Sequence, residues 1–513
     1  MDLADAFLNQ VPRFALGELP TETPHPLTRN LSRLAQTDLD HALALMRQVD
    51  RGALHRVQQD FAQFAPLFSA VAETLEQGNR IYLVGCGATG RLALSLEFLW
   101  RRKHPGSDQV RSLMAGGDVA LVHSLEGFED LPEFGARHLK ELGFASGDLL
   151  IGTTEGGETP YVIGAVEAAA QVPGVNWRAP FFLYCNPRLL LIEKVERSRR
   201  ILLNEKVRSI AVETGPMALT GSTRMQASTV LMLVVGLALE FQRDAARAKR
   251  ELDVWLLAWT KSPLGWLKKF IVEEAQTYLD GDFTCYAASD FAMTVFTDTT
   301  ERAPTFNLAP FDNPSEKTQR RSLTYLALPE TDSANDAWNS LLARAPRPLE
   351  WPEVHPKTSK EYLYSFDFSR NAIELRKSLL PGRTHFPFTI DTVNRKLHWQ
   401  FRDLNNAVPL SGQSALFDHL SLKMLLNMHS TLVMGRLGRF EGNLMTWVYP
   451  SNGKLVDRAA RYTQILLAAR GRVEFGYDAI VRAQFALKAG LTPKESIVHK
   501  TIERLTGEPY AEV

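Results

Sequence analysis

The sequence predicts an α/β fold of two doubly wound units, each a parallel sheet with helices on both faces, followed by a helical tail. Two observations carry this. Short apolar runs alternate with helical stretches, the pattern of parallel strands joined by crossover helices. The same order of elements then recurs in the second half, and a long apolar helix closes each half. At 513 residues and roughly 150 residues per domain, about three structural units are expected. The divisions drawn are 1–55, an N-terminal arm and helix; 56–255, the first unit; 256–450, a degenerate second copy; and 451–513, a helical C-terminal region.

Taken in order, Pro20, Pro24 and Pro26 mark an extended arm, and a helical pattern begins at Leu39. A helix over 57–77 ends at Gly78. RIYLVG, VRSLMAG, DLLIGTT, PFFLYC and SIAVET read as the strands of the first unit, with an amphipathic helix over RLALSLEFL after the glycine-rich turn and helices near 132–142 and 160–171. Ser222–Phe241 is the closing helix. In the second unit FTCYAAS, LTYLALP, YLYSFDF and THFPFTI are strand candidates. Helices are expected at 267–280 and over FAMTVFTDTTER, and Ser414–Leu437 closes the unit. The stretch 328–360 reads as a loop or surface insertion. The repeated order with one glycine-rich turn predicts an ancient duplication with one degenerate copy.

Composition narrows the function classes. Lys+Arg and Asp+Glu each number 58, so no global charge favours nucleic acid or an anionic membrane. Three scattered cysteines form neither a disulfide framework nor a metal site. They fit a reducing, cytoplasmic setting. The start has no apolar run of signal-peptide length, and the longest apolar stretch, Val230–Leu239, is half of the roughly 20 residues a membrane span needs.

Three turns can carry chemistry. Gly85, Gly87 and Gly90 form G-x-G-x-x-G directly after a strand. One reading is dinucleotide binding, but the acidic residue expected at the end of the next strand is absent, which makes an NAD enzyme the weakest alternative. The other reading is a phosphate loop, with Gly87, Ala88, Thr89 and Gly90 at a helix N-terminus. A bare βα turn is the bland alternative. The second turn, TTEGGETP, offers Thr154, Gly156, Glu158 and Thr159. Its glutamates repel a phosphate but suit sugar hydroxyls. Thr159 with Pro160 also reads as an ordinary helix cap. The third, LTGSTRM, sets Ser222, Thr223 and Arg224 before an apolar helix, a pattern that serves an anion or a plain N-cap. No cofactor and no metal are called for.

The run LTGSTRM, AGGDVALVHSLEGFED, the GCGATGR turn, ETPYVIGA, KMLLNMHSTLVMGRLGRFEGNLM, SNGKLVDRA and the TETPHPLT arm resemble the N-acetylmuramic acid 6-phosphate etherase family. Two such sugar-isomerase (SIS) domains in one chain with a helical tail look more like the glucokinase regulatory protein, a relative that binds fructose phosphates and controls a sugar kinase. The resemblance implies that each half is flavodoxin-like and that the halves mimic the etherase dimer. It implies a sugar phosphate as ligand and a sugar kinase as a protein partner.

By the same resemblance two glutamates are catalytic candidates. Glu129, in GFED, matches one. The other's place in the first half is taken by Leu99. Glu97, two residues away, is turned about 200° on the helix. In the second half DTTERAPTF supplies Glu301, so Glu129 and Glu301 are expected to meet in one composite pocket. A base at C2 and an acid at the C3 ether oxygen would then divide an elimination. A solvated helix residue is the bland reading of Glu301. Lys454, in SNGKL, matches a lysine that reaches the sugar phosphate in the regulatory relative; a surface lysine is its alternative.

Where the etherase has SGRTP this chain has GGETP, so Gly156 replaces a serine and Glu158 an arginine, and Met217 stands for a glutamate. These changes favour a regulator-like binder of a hexose or amino-sugar phosphate. An etherase-type carbon–oxygen lyase using Glu129 and Glu301 is the alternative. Thr89, Thr154, Ser222 and Thr223 are expected to converge on one phosphate site, with Lys454 folded back into it.

Overall fold

The computed structural model describes residues 3–11, 16–123, 125, 127–173, 179–314, 316, 321–412, 414–450, 452–492 and 494–511. Ser124 and Glu126 of the HSLEGFED run and Ser451 of SNGKL lie outside the described residues.

Five short apolar segments, β1 (Ile81–Gly85), β2 (Val110–Met114), β3 (Leu149–Thr153), β4 (Phe181–Tyr184) and β5 (Arg208–Ala211), pair in parallel in the order β2-β1-β3-β4-β5. β1, β3 and β4 are buried along their whole length. That is what helices on both faces require of a parallel strand. Ala88–Lys103, Pro132–Glu141 and Pro160–Ala170 are crossover helices, and Gln226–Phe241 closes the unit. The closing helix starts later than Ser222, because Ser222–Met225 form the turn before it.

The second sheet, β6 (Phe283–Ala288), β7 (Thr324–Ala327), β8 (His385–Val393), β9 (Lys396–Phe401) and β10 (Leu404–Pro409), runs β10-β9-β8-β6-β7. Read from β6, this repeats the order of the first sheet. β6, β7 and β8 are parallel, as expected. β9 and β10 return through tight turns and pair antiparallel. Asn394 and Arg395 make the first turn at positive φ, and a two-residue connection can only reverse the chain. These two strands were not foreseen.

YLYSFDF is no strand: Lys360–Tyr364 is helical, and only a single bridge, Leu328 to Ser369, joins this stretch to the sheet edge. Ser359 caps that helix, accepting from the Tyr362 amide, and a cap outweighs a short aromatic run. The stretch 328–360 is a loop after Leu342, as expected, but it is not a free surface insertion. After helix Ala334–Leu342 it crosses onto the first unit. There Arg344 and Arg347 reach Glu97 and Asp118, and Trp351 is buried, stacked 5.8 Å from Phe128.

The helix expected over 57–77 is interrupted at Phe61–Phe64 and resumes as Ala65–Glu76, with Gly78 at φ +74° beyond it. The N-terminal arm is short 3-10 turns at Pro20–Glu22 and Pro26–Thr28 rather than extended chain. The tail is helical as expected: Gly453–Ala469, Tyr477–Lys488 and Ile497–Thr506.

Candidate functional site

One cavity of about 250 Å³ gathers residues from both halves and the tail. The first unit supplies Cys86, Gly87, Ala88 and Arg91 from the β1 turn, Gly127–Glu129 from the loop after β2, and Gly221–Arg224. The second unit supplies Glu301, Pro304 and Thr305 from helix Ala292–Phe306, and the tail supplies Asn452, Lys454, Leu455 and Arg458. Glu129 and Glu301 thus line the same cavity, although they stand on different halves.

The β1 turn explains which of its residues face the cavity. Gly87 takes φ +54° with open space where a side chain would be, so the backbone at the helix N-terminus is bare. The Thr89 hydroxyl is spent on the turn itself: it accepts from the Cys86 amide at 3.0 Å and donates to the Cys86 carbonyl at 2.9 Å. Gly90 packs on Met114, where a Cβ would approach to 2.4 Å. Thr89 and Gly90 therefore shape the turn and do not line the cavity.

The TTEGGETP turn is likewise closed on itself. The Thr154 and Thr159 hydroxyls bond each other at 2.9 Å, and the Gly156 carbonyl accepts from Asn186. Thr159 and Glu158 border only a small satellite cleft beside Lys454. The expected convergence of four hydroxyls reduces to Ser222 and Thr223. The buried Ser222 hydroxyl has no hydrogen-bond partner among the described residues.

Lys454 does fold back to the cavity, but its ammonium is on Glu158, at 2.9 Å. Arg197 holds the other side of that carboxylate, with Nε 3.1 Å from Oε2. Against the upward push of burial, these two cations hold the Glu158 carboxyl down at about 2. Lys454 is half-buried, and Glu158 and Glu129 raise its pKa against the desolvation. Arg224, expected at an anion, pairs instead with Asp298 of the second unit at 2.9 Å and donates to Ser430 and Thr431. Arg458 and Arg461 hold Glu22 of the arm.

Glu301 is buried and carries no hydrogen bond or ion pair on its carboxyl among the described residues. Burial raises its pKa, and Arg91, Arg224 and Lys423 restrain the rise. Glu129 is half-buried and accepts from the Cys86 thiol at 3.3 Å. Burial and that carboxylate keep Cys86 protonated, so it is a donor and not a nucleophile. Arg91 ties the halves together: it donates to the Leu121 carbonyl at 3.1 Å and to the Thr300 hydroxyl at 3.4 Å. Glu97 faces away, as its helical rotation requires. Burial raises its pKa, but Arg344, Arg347, Ser112 and Arg101 bring it to about 2.

Sequence reasoning missed Cys86, Arg91 and Arg197 as site residues. Arg91 and Cys86 lie inside the GCGATGR motif and were within reach. Arg197 gave no local signal. Glu155 is buried with one carboxyl oxygen unpartnered, and burial pushes it up to about 7. The described residues hold no group of three or more His, Cys, Asp or Glu fit for a metal, and no described helix is long and apolar enough to cross a membrane.

Residues 63–170 match a family model described as the glucokinase regulatory protein N-terminal SIS domain. N-acetylmuramic acid 6-phosphate etherases are similar over 43% of this chain. That of Thermosynechococcus vestitus is 34% identical over 66% of its own length. That of Rippkaea orientalis is 33% identical over 67%, and that of Halalkalibacterium halodurans is 34% identical over 69%. A solved tagatose-6-phosphate ketose/aldose isomerase from Escherichia coli is 14% identical, with a TM-score of 0.41 over 82% of this chain and 95% of its own. The chain belongs to the SIS-domain family that unites N-acetylmuramic acid 6-phosphate etherases with the glucokinase regulatory protein.

Proposed function

We propose that the protein is a carbon–oxygen lyase of the etherase type, acting on a 3-O-substituted amino-sugar phosphate in the composite cavity. The observation that carries this is the pair of unlike carboxyls on one cavity, Glu129 half-buried and Glu301 buried with its pKa raised. Elimination needs a base for the C2 proton, which the open-chain C1 carbonyl acidifies, and an acid for the departing C3 oxygen. Glu129, half-buried at the cavity wall, is the base. Glu301, whose carboxyl burial pushes upward, is the acid. The proton leaves C2 for Glu129 while the C3–O bond breaks and its oxygen takes the proton of Glu301.

The sugar phosphate is held by the bare amides at the start of helix Ala88–Lys103 together with Ser222 and Thr223. Support comes from the unpartnered Ser222 hydroxyl. Lys454 orients Glu158 and Glu129 rather than taking the phosphate as its sole counter-ion.

A second reading, a regulator-like binder without turnover, is favoured by the neutralised Lys454 and by the family model on the first unit. A sugar kinase as partner belongs to this reading alone. The test is lactate release from N-acetylmuramic acid 6-phosphate. The lyase reading expects release by the wild type and a loss of about 100-fold or more in Glu129→Gln and Glu301→Gln, with binding retained. Saturable binding with no release by the wild type contradicts it.

A further inference from the structure

Helix Ala88–Lys103 starts at the composite cavity and ends at a second one. Helix Ala292–Phe306 does the reverse: Phe291, just before it, lines the second cavity, and Glu301, Pro304 and Thr305 line the first. The two sheets share one strand order, and Ile81 and Phe283 open equivalent strands. The same spacing carries Leu99 onto Glu301. The second cavity is therefore the internal-symmetry counterpart of the first. It measures about 530 Å³, within the range of small-molecule sites.

Its chemistry has changed. Leu99 lines it where Glu301 lines the first, joined by Leu96, Trp100, Leu239, Phe291 and Leu416. Ser289, Asp290 and Phe291 replace the bare glycine turn. Charges at the rim are already matched: Arg102 with Asp290 at 2.7 Å, Lys103 with Glu240 at 3.7 Å, and Asp418 accepting from the Ser411 amide at 2.6 Å. No unmatched cation awaits a phosphate there.

A buried imidazole also lies among these walls. His419 is 6% exposed, and its Nδ1 is 2.7 Å from the Thr294 hydroxyl. That hydroxyl has no other acceptor among the described residues, so it donates to Nδ1 and the ring proton sits on Nε2. Burial, with Arg102 nearby, drives the His419 pKa down to about 3, so the ring is neutral. Nε2 has no partner among the described residues, and the residue lines the cavity.

We propose that this cavity is a second binding site, for a neutral molecule with a flat apolar body and one hydrogen-bond acceptor, such as an aryl ketone, whose oxygen accepts from His419 Nε2. The site does not depend on the reaction proposed for the first cavity.

The test is a ¹⁹F NMR titration of the full chain with 4′-fluoroacetophenone and with 1-ethyl-4-fluorobenzene, which lacks the acceptor. Saturable one-site binding is expected, with the ketone about fivefold tighter. Leu99→Trp or Leu239→Phe, which fill the cavity, weaken both probes about tenfold. His419→Phe keeps the ring and removes the ketone's advantage. Saturating N-acetylmuramic acid 6-phosphate displaces neither probe. Absence of saturation, full-strength binding in both filled variants, an unchanged ketone preference in His419→Phe, or displacement by the sugar phosphate each overturns the proposal.

Discussion

Glu158 is 3% exposed, and its carboxylate lies between two cations. Removing its charge with Glu158→Gln leaves Lys454 and Arg197 able to attract an anionic ligand. Affinity for a sugar phosphate then rises by about tenfold, equivalent to about 1.4 kcal/mol. Calorimetric titration checks this, and the gain disappears for the dephosphorylated sugar. Glu155 gives a pH signature of the opposite kind to most carboxylates. Its pKa is raised in the fold to about 7, so between about 4.5 and 7 the native state keeps a proton that the unfolded chain has lost. Stability falls as pH rises through that window and is level above it. Glu155→Gln removes the penalty, worth up to about 3 kcal/mol. Its melting temperature exceeds that of the wild type at pH 8 and matches it near pH 4.

At the scale of elements, the crossing segment after Ala334–Leu342 props the loop that bears Glu129. Trp351 stacks on Phe128, donates to Glu141 at 2.7 Å and lies under Arg137. Trp351→Ala therefore costs about 3–5 kcal/mol of stability and lowers turnover, although Trp351 lines neither the cavity nor the turn. Glu97→Gln leaves Arg344 to Asp118 alone and removes the carboxylate that Arg347 pairs with. A broken buried pair costs about 3–5 kcal/mol, read as a lowered midpoint in urea.

None of this crossing was readable beforehand. Arg344 and Arg347 meet Glu97 across some 250 residues, and a pairing of that range leaves no local periodicity. β9 and β10 were hidden for another reason. LNNAVP is polar and lies at the open edge of the sheet, and the turn before β9 is Asn-Arg rather than Asn-Gly. The first unit was readable because β1, β3 and β4 are buried apolar runs, and β1 and β3 end in small-residue turns. Gly87, Ala88, Ser222 and Thr223 were found at the cavity for the same reason. The inward threonines, Thr89, Thr154 and Thr159, have the same composition but bond to their own turns. Only geometry separates a hydroxyl that serves a ligand from one that serves the backbone.

For the whole molecule, the buried network Arg224–Asp298–Arg302–Glu274–His429 joins the first unit's third turn to three helices of the second unit, Leu267–Leu279, Ala292–Phe306 and Ala415–Arg436. Arg91 adds a second tie. With the site shared in this way, the halves are expected to unfold together. Urea unfolding followed by hydrogen exchange in β1 and in β6 gives one midpoint. Two separated transitions contradict an interlocked pair.

The central claim is that an acid on the second half completes a site whose base is on the first. Its most direct test uses a substrate that needs no acid. Chloride leaves without a proton, so a 3-chloro-3-deoxy analogue of the amino-sugar phosphate requires only the base. Glu301→Gln is expected to lose about 100-fold or more in ether cleavage while eliminating chloride within about tenfold of the wild type, and Glu129→Gln loses both. Equal loss of both reactions in Glu301→Gln, or undiminished ether cleavage, contradicts the division of labour between the two halves.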